Sequence, residues 1–482
     1  MTATNAVVVV MDTVRMHEVI DSDNLMPELE VALSGTRFNQ AFTSAPWTLP
    51  SHASLFTGMT PSKHGAHAGH KRLDDTYTTI AEVLADEGYE TVAVSNNTWI
   101  SEEFGFRRGF ETFYKTWQYI QSDTDLGRIA RQEEGFNKLT EVTKALSDGN
   151  PLTNLANAIY GQFFRRVEDD GASRSNEWID EWLTGRDDAR PFFMLVNYLE
   201  PHLEYRPPEE HAIDHLPDGI TYEEAMEVPQ DAWGYIAGTT EMTDKDLEIL
   251  RALYRSEISY LSERIQEVVD MLRDAGEWED TLFIVTSDHG ENIGEHGLMD
   301  HQYALYDTLL HVPMFIHGGP FQGGSIDDLV QLIDVPPTIL DVLDIDATTA
   351  QEQFQGISFH PDAPETREYA IAEYLAPQPS MDALENRIGD LPDSVRRYER
   401  SLRAIRTEKY KYIRGSDGSR ELYNIQNDPS ETNDIADKFG EVVNEFDSQL
   451  DQWLNSFEHA NYSDDVSMDE RTKTRLEDLG YL

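Results

Sequence analysis

Two short, unbroken apolar runs that end in acids constrain this chain more than any other feature. Ala6-Val-Val-Val-Val-Met11 runs into Asp12, and Thr281-Leu-Phe-Ile-Val-Thr286 runs into Ser287-Asp288-His289-Gly290-Glu291. Neither run has a helical period, and both are rich in β-branched residues. They read as strands buried on both faces, which is the pattern of a mostly parallel sheet covered by helices. In open α/β sheets ligands bind beyond the carboxyl ends of the strands, so Asp12, Asp288 and His289 are expected on a rim where chemistry is done.

The rest of the chain extends this α/β reading. Thr79 to Gly88 has Ile80, Val83 and Leu84 on one helical face and feeds the strand Thr91-Val-Ala-Val-Ser95. Pro191 to Leu199 restarts the buried-strand pattern and leads to Pro201-His202, and Pro313-Met-Phe-Ile316 gives another strand. Asp244 to Leu272 carries Leu247, Leu250, Leu253, Tyr254, Ile258, Leu261 and Ile265 at helical spacing, a core stripe. The polar stretch from about 118 to 190 bears no site motif and reads as an insertion or covering layer. From Gly356 to Arg367 the chain looks like a linker. Beyond it Leu402 to Arg414 reads as a strand, Gly415 to Ser419 as a turn, Glu421 to Ile425 as a returning strand, and about Lys438 to Phe457 as a covering helix. The expected organisation is a catalytic domain over 1–355 and a smaller α+β subdomain over 365–482.

Between the two acid-ending strands lies Ala45-Pro46-Trp47-Thr48-Leu49-Pro50-Ser51-His52-Ala53-Ser54-Leu55-Phe56-Thr57-Gly58. It reads as a helix with Thr48 as N-cap, Pro50 in the first turn and Gly58 at the stop. A hydroxyl at a helix start faces free N–H groups and the positive end of the dipole, which favour an oxyanion. Thr48 is therefore the candidate nucleophile.

With these segments in view, the chain resembles the sulfatase family of the alkaline phosphatase superfamily. That family's nucleophile motif is Cys or Ser, any residue, Pro, Ser, Arg, followed by Leu and Thr-Gly; here it stands as Thr48-Leu49-Pro50-Ser51-His52 and then Leu55-Phe56-Thr57-Gly58. Further matches are Asp12-Thr13-Val14-Arg15, Glu200-Pro201-His202-Leu203-Glu204-Tyr205, Ser287 to Gly297, Tyr306 to Pro313, and a tail around Lys409-Tyr410-Lys411-Tyr412 and Glu421-Leu422-Tyr423-Asn424. The resemblance implies a sulfatase-like, mostly parallel sheet flanked by helices, with a smaller C-terminal α+β subdomain. It also implies one divalent metal ion held by Asp12, Asp288, His289 and the Thr48 oxygen. His52, His202 and His301 become candidate oxyanion contacts or leaving-group acids, and Arg15 and Asn96 candidate substrate contacts. Asp307 and His311 have the spacing of a second-metal pair but precede a strand instead of following one, and read as structural.

The departures from the family pattern bear on chemistry. Many members have two adjacent Asp near the start where this chain has Asp12-Thr13, and Asp-Asn where it has Asp288-His289. Imidazole shifts the expected metal from Ca toward Mn, Zn or Fe, so that among Mn, Ca, Mg and Zn the favoured ion is Mn. The motif Arg is His52, and Asn96 stands where arylsulfatases place a Lys. Sulfate-ester hydrolases of the family generally oxidise the motif Cys or Ser to formylglycine. Thr48 carries a methyl on its β-carbon, so no formylglycine is expected. The leading expectation is a hydrolase of a phosphate ester, diester or phosphonate ester. A sulfuric ester hydrolase acting on a sulfated glycan or small molecule, and a phosphoglycerol- or phosphoethanolamine-type transferase to a glycan, stay open.

The charge sets the surroundings. Ninety Asp and Glu against 38 Lys and Arg give a net charge of -52 over 482 residues. Acids are spread along the chain, as expected for a salt-rich cytoplasm in which screening acts within about 3 Å. No basic patch favours nucleic acid. No targeting segment or run of ~20 apolar residues is visible, so a soluble cytoplasmic protein without a membrane span is expected. With no Cys there is no disulfide or thiolate site.

Overall fold

The computed structural model describes residues 3–460 except 21–24, 27–28, 30–32, 117–168 and 187–188. Most of the expected 118–190 insertion thus lies outside the described residues, as does the tail from 461 to 482. The strands are β1 (Asn5–Met11), β2 (Thr36–Phe42), β3 (Glu90–Ser95), β4 (Thr112–Lys115), β5 (Phe192–Tyr198), β6 (Thr281–Ser287), β7 (Asn292–Ile293), β8 (Met299–Asp300), β9 (Met314–His317), β10 (Gly324–Gln331), β11 (Tyr369–Tyr374), β12 (Leu402–Thr407), β13 (Tyr410–Gly415) and β14 (Arg420–Asn424). Eight of them form one sheet in the order β10-β2-β9-β6-β1-β5-β3-β4, parallel except for β9.

Register explains why the acids meet. β1 lies between β5 and β6, with Met11 beside both Tyr198 and Ser287. The ladder continues one residue further: the Asp12 amide donates to Tyr198 O at 3.2 Å and the Asp288 amide to Met11 O at 3.2 Å. Ser95 of β3 is level with Asn197 of β5, so Asn96 and Asn97 leave the sheet on the same edge. Val7, Val8, Val9 and Val10 are buried, each contributing about 1.5–3 kcal/mol relative to exposure. That burial on both faces is the reason the runs carry no alternation.

The helices that matter here are α1 (Thr48–Thr57), α2 (Ile80–Asp86), α3 (Ala172–Gly185), α4 (Asp244–Asp274), α5 (Val335–Val342) and α6 (Gly440–Leu454). Thr79 and Thr243 start α2 and α4 with reciprocal capping boxes to Glu82 and Asp246. The expected core stripe of α4 is buried throughout. Among the described residues no helix is long and apolar enough to cross a membrane.

Three expectations change. Thr48 is the first helical residue and not the cap; Trp47 occupies the cap position with extended backbone and no side-chain cap bond. The stretch Leu402 to Arg414 is not one strand: it folds back between β12 and β13, where the Thr407 hydroxyl accepts from the Tyr410 amide and donates to its carbonyl. β2, β10 and β11 escaped the sequence reading, because polar residues interrupt the first two and nothing punctuates the third.

β11 to β14 form a four-stranded antiparallel sheet. Ala370, Ala372, Tyr374 and Ala404 join the main core, whereas Ile371, Ile405, Tyr412 and Leu422 form a second core with Val443, Phe446 and Leu450 of α6. Gln331 at the end of β10 stitches the sheets together through Ile371, accepting from its amide at 3.1 Å and donating to its carbonyl at 2.9 Å. Asp307 sits between Lys411 at 2.8 Å and Arg406 at 2.9 Å, and His311 Nε2 donates to Asn39 O at 2.9 Å. This pair binds elements together, in keeping with the structural reading.

Candidate active site and metal centre

Asp12, Thr48, His52, Asp288 and His289 converge beyond the carboxyl ends of β1 and β6, all fully buried. His289 Nε2 is 3.4 Å from Thr48 Oγ1, 3.4 Å from Asp288 Oδ2 and 3.6 Å from Asp12 Oδ1. Its Nδ1 lies 2.9 Å from Gly290 O, a bond that places the proton on Nδ1 and presents the Nε2 lone pair to the acids. Gly290 permits the tight path: a Cβ there would lie 2.0 Å from Thr308 O. Burial holds His289 neutral, down to about 3, despite Asp288 beside it.

The two carboxylates are held from behind and left open in front. The Asp12 Oδ2 atom accepts from Asn97 Nδ2 at 2.6 Å, and Asp288 Oδ1 accepts from the amides of His289 at 2.9 Å and Thr13 at 3.4 Å. Asp12 Oδ1 and Asp288 Oδ2 are buried and have no hydrogen-bond partner among the described residues. Burial, and then the Asp288 charge, push Asp12 well above the ordinary carboxylate range. Burial opposes ionisation of Asp288 too, but His289 and His52 bring it below its ordinary value. Two orphaned carboxylate oxygens, a neutral imidazole nitrogen and a hydroxyl fit a divalent cation by both charge and donor type.

Around this centre the other histidines take distinct places. His52, one turn into α1, has Nδ1 3.1 Å from Thr48 O and 3.4 Å from Asp288 Oδ2, with Nε2 3.5 Å from Asn197 Nδ2. Ser51 donates to Asp288 O at 2.6 Å, tying α1 to the β6 end. The His301 ring lies tilted 4.5 Å from the His289 ring and edge-on 5.3 Å from that of His202. Burial, and then the His301 charge, lower His202 to about 4. Burial also opposes a charge on His301, but Asp300 and Glu291 more than offset it and hold it well above its ordinary value.

The two expected substrate contacts also bond within the protein. Arg15 donates to Glu18 at 2.6 Å and to Glu295 at 3.1 Å, beneath the site. Asn96 accepts from Ser175 Oγ at 2.8 Å on α3. Sequence reasoning missed Asn97, the residue that grips Asp12. Both asparagines follow the same strand, and only the register shows which one reaches the acid. It also missed Glu291 and Asp300, brought together by the short β7–β8 hairpin in which Asn292 pairs with Asp300.

The comparisons agree with this architecture. Residues 4–345 match the sulfatase family model. Arylsulfatase K of Bos taurus is 24% identical over 449 residues, covering 87% of this chain and 75% of that protein. Choline-sulfatase of Rhizobium meliloti is 23% identical over 428 residues, covering 84% and 76%. Among solved structures, the phosphonate monoester hydrolase of Agrobacterium radiobacter aligns with a TM-score of 0.69 at 18% identity, over 95% of this chain and 96% of that one. A 2-O GAG sulfatase aligns with a TM-score of 0.66 at 18% identity, over 97% and 98%. With the family model spanning most of the chain, and Asp12, Asp288 and His289 gathered at the sheet edge, the chain belongs to the sulfatase family of ester-hydrolysing enzymes.

Proposed function

We propose that the protein hydrolyses a phosphate ester, diester or phosphonate ester through a covalent Thr48 intermediate. The observation that carries the reading is the hydroxyl of Thr48, buried at the start of α1 and 3.4 Å from His289 Nε2. Oxidation of a threonine stops at a ketone, so its own oxygen is the nucleophile available. Two of the similar structures are phosphonate monoester hydrolases, the second from Silicibacter pomeroyi with a TM-score of 0.67 at 20% identity, and they favour phosphorus as the reacting centre.

A divalent ion held by Asp12, Thr48, Asp288 and His289, with manganese favoured by the imidazole, would lower the proton affinity of the hydroxyl and polarise the phosphoryl oxygen. The residues do the rest. Asn97 and the His289 and Thr13 amides fix both carboxylates, and α1 aims Thr48 at the same point. Thr48 Oγ1, its proton released to solvent, forms the bond to phosphorus while the bond to the ester oxygen breaks. That oxygen takes up a proton on the side lined by His202 and His301. Water then attacks phosphorus, the Thr48–phosphorus bond breaks, and the Thr48 oxygen regains a proton. In-line displacement asks little more of the protein than such positioning and charge.

A second reading, sulfuric ester hydrolysis, is favoured by the relatives named as sulfatases. The test is a parallel assay of p-nitrophenyl sulfate, p-nitrophenyl phosphate, bis-p-nitrophenyl phosphate and a phosphonate monoester in molar KCl with Mn, Ca, Mg or Zn. Turnover of the phosphorus substrates that vanishes in Thr48→Ala supports the proposal. Turnover of the sulfate ester alone replaces it with the second reading. Product analysis with an added glycan acceptor separates hydrolysis from transfer.

A further inference from the structure

One acid–histidine group is left over once Asp12, Thr48, Asp288 and His289 are assigned. Glu291, Asp300 and His301 are all buried, and one ligand atom from each falls within 4.8 Å of the other two. The geometry points to this group as a second divalent-cation site, adjacent to the first, with Glu291, Asp300 and His301 as its protein ligands. The inference concerns ion count and stands whether the reacting centre is phosphorus or sulfur.

Asp300 and Glu291 approach the same His301 ring atom at different distances, and a proton on His301 is the alternative to a cation among the three. His301 Nδ1 is 2.5 Å from Asp300 Oδ1 but 3.7 Å from Glu291 Oε1, beyond hydrogen-bond reach. Both oxygens of the fully buried Glu291 carboxylate lack a hydrogen-bond donor among the described residues. Arg15 donates to the Glu291 backbone carbonyl at 3.4 Å and makes shorter bonds to Glu18 and Glu295.

The neighbourhood is rich in oxygen acceptors and poor in donors. Gln302 donates Nε2 to Asp300 Oδ2 at 2.6 Å, while its own amide oxygen is buried without a partner. The Tyr205 hydroxyl, close enough for Glu291 and Asp300 to oppose its ionisation, also has no partner among the described residues. Such a set of carboxylate and amide oxygens suits a hard cation, and the imidazole adds the preference for manganese or zinc seen in the first set. The β7–β8 pairing of Asn292 with Asp300 places Glu291 and His301 as the next residues outward on either strand, so the hairpin itself assembles the ligands. The His301 and His289 ring centroids are 4.5 Å apart, which makes the two sites neighbours, and two adjacent cations can serve the attacking and departing oxygens of a displacement.

The test counts ions. Metal-stripped full-length protein is equilibrated with excess manganese in molar KCl, desalted, and measured by elemental analysis and by electron paramagnetic resonance. Two manganese ions per wild-type chain with an exchange-coupled spectrum are expected. Glu291→Gln and Asp300→Asn should each hold one, with isolated Mn(II) lines and unchanged circular dichroism, and Asp12→Asn should also fall to one. A single ion per wild-type chain overturns the inference and leaves protonated His301 as the counter-charge. Two ions retained in both Glu291→Gln and Asp300→Asn overturn it as well, because the second would then lie elsewhere. Should one hairpin variant fail to fold, the other variant and the wild-type spectrum still decide.

Discussion

The two acid–histidine clusters lie side by side and are built in opposite ways. Asp12, Asp288 and His289 follow directly from long central strands, and their positions are fixed by the ladder that pairs Met11 with Ser287. Glu291, Asp300 and His301 hang on a hairpin with two residues in each strand, in which Asp300 adopts left-handed backbone at φ 70° and Tyr303 follows at φ 63°. A non-glycine residue in that region is held there by its surroundings. The first cluster inherits its geometry from the stability of the sheet; the second depends on local contacts. Substitutions should therefore act most severely at the first cluster and less so at the second.

The largest effect is expected at the strand ends. Thr48→Ala should lower kcat/KM by about 10³-fold or more with the metal content unchanged, whereas Asp12→Asn should lose both activity and an ion. Steady-state kinetics beside elemental analysis separates the two. Equal loss of metal in both variants would mean that the Thr48 oxygen governs ion binding more than the orphaned Asp12 oxygen does.

Next comes the hairpin cluster. His301→Ala and Glu291→Gln should each reduce kcat by roughly 10²-fold, more on esters with a poor leaving group than on p-nitrophenyl esters. A loss independent of the leaving group would assign the hairpin a purely structural role.

The difference between the clusters also decides what could be read from sequence. A buried parallel strand is an apolar run, so an acid at its end is visible in the sequence; Asp12, Asp288 and His289 were legible for this reason. Thr48 was legible as a helix start, although its capping role was misplaced by one residue. Pairing across a two-residue hairpin leaves no periodic trace, so nothing in the sequence singles out Glu291 and Asp300 as a pair. Arg15 and Asn96 were reasonable cations and donors by position, but side-chain direction is set by partners distant in sequence, Glu295 for one and Ser175 for the other. The central strands and α4 followed from pattern, whereas β2 and β10 owe their place to pairing with each other, which composition does not encode.

Asn97 offers a finer probe of the first cluster. Its 2.6 Å bond to Asp12 Oδ2 orients a proposed ligand, so Asn97→Ala should weaken manganese binding by about 10- to 100-fold. Asn96→Ala, which removes a bond to Ser175 instead, should leave manganese affinity within a few-fold of wild type. Titration of stripped protein with manganese checks both. Comparable losses would place the effect in the β3 loop as a whole.

The smallest effect on activity, and the most revealing for the link between the clusters, concerns the brace through Arg15. This residue follows Asp12 by three positions and bonds Glu295 in the β7–β8 connection, so it ties the hairpin to the strand that carries the first cluster. Burial alone would raise Glu18, but the His17 ring, Arg15 and Arg255 bring it down to about 2. Burial of Glu295 is likewise outweighed by Arg15, the Ile293 amide and Arg251, which lower it to about 2. Both folded values lie below the ordinary value of 4.5, so each acid stabilises the fold above that pH. The contribution is lost as pH falls from about 4.5 toward 2, and is of order 2–3 kcal/mol per group. Glu295→Gln should flatten the acid limb of a urea-stability profile recorded at constant KCl, while turnover at neutral pH changes only a few-fold. An acid limb as steep as that of wild type would show that Arg15 holds the hairpin through the Glu291 carbonyl and not through Glu295. In that case the two clusters would be joined by a backbone contact that no side-chain charge controls.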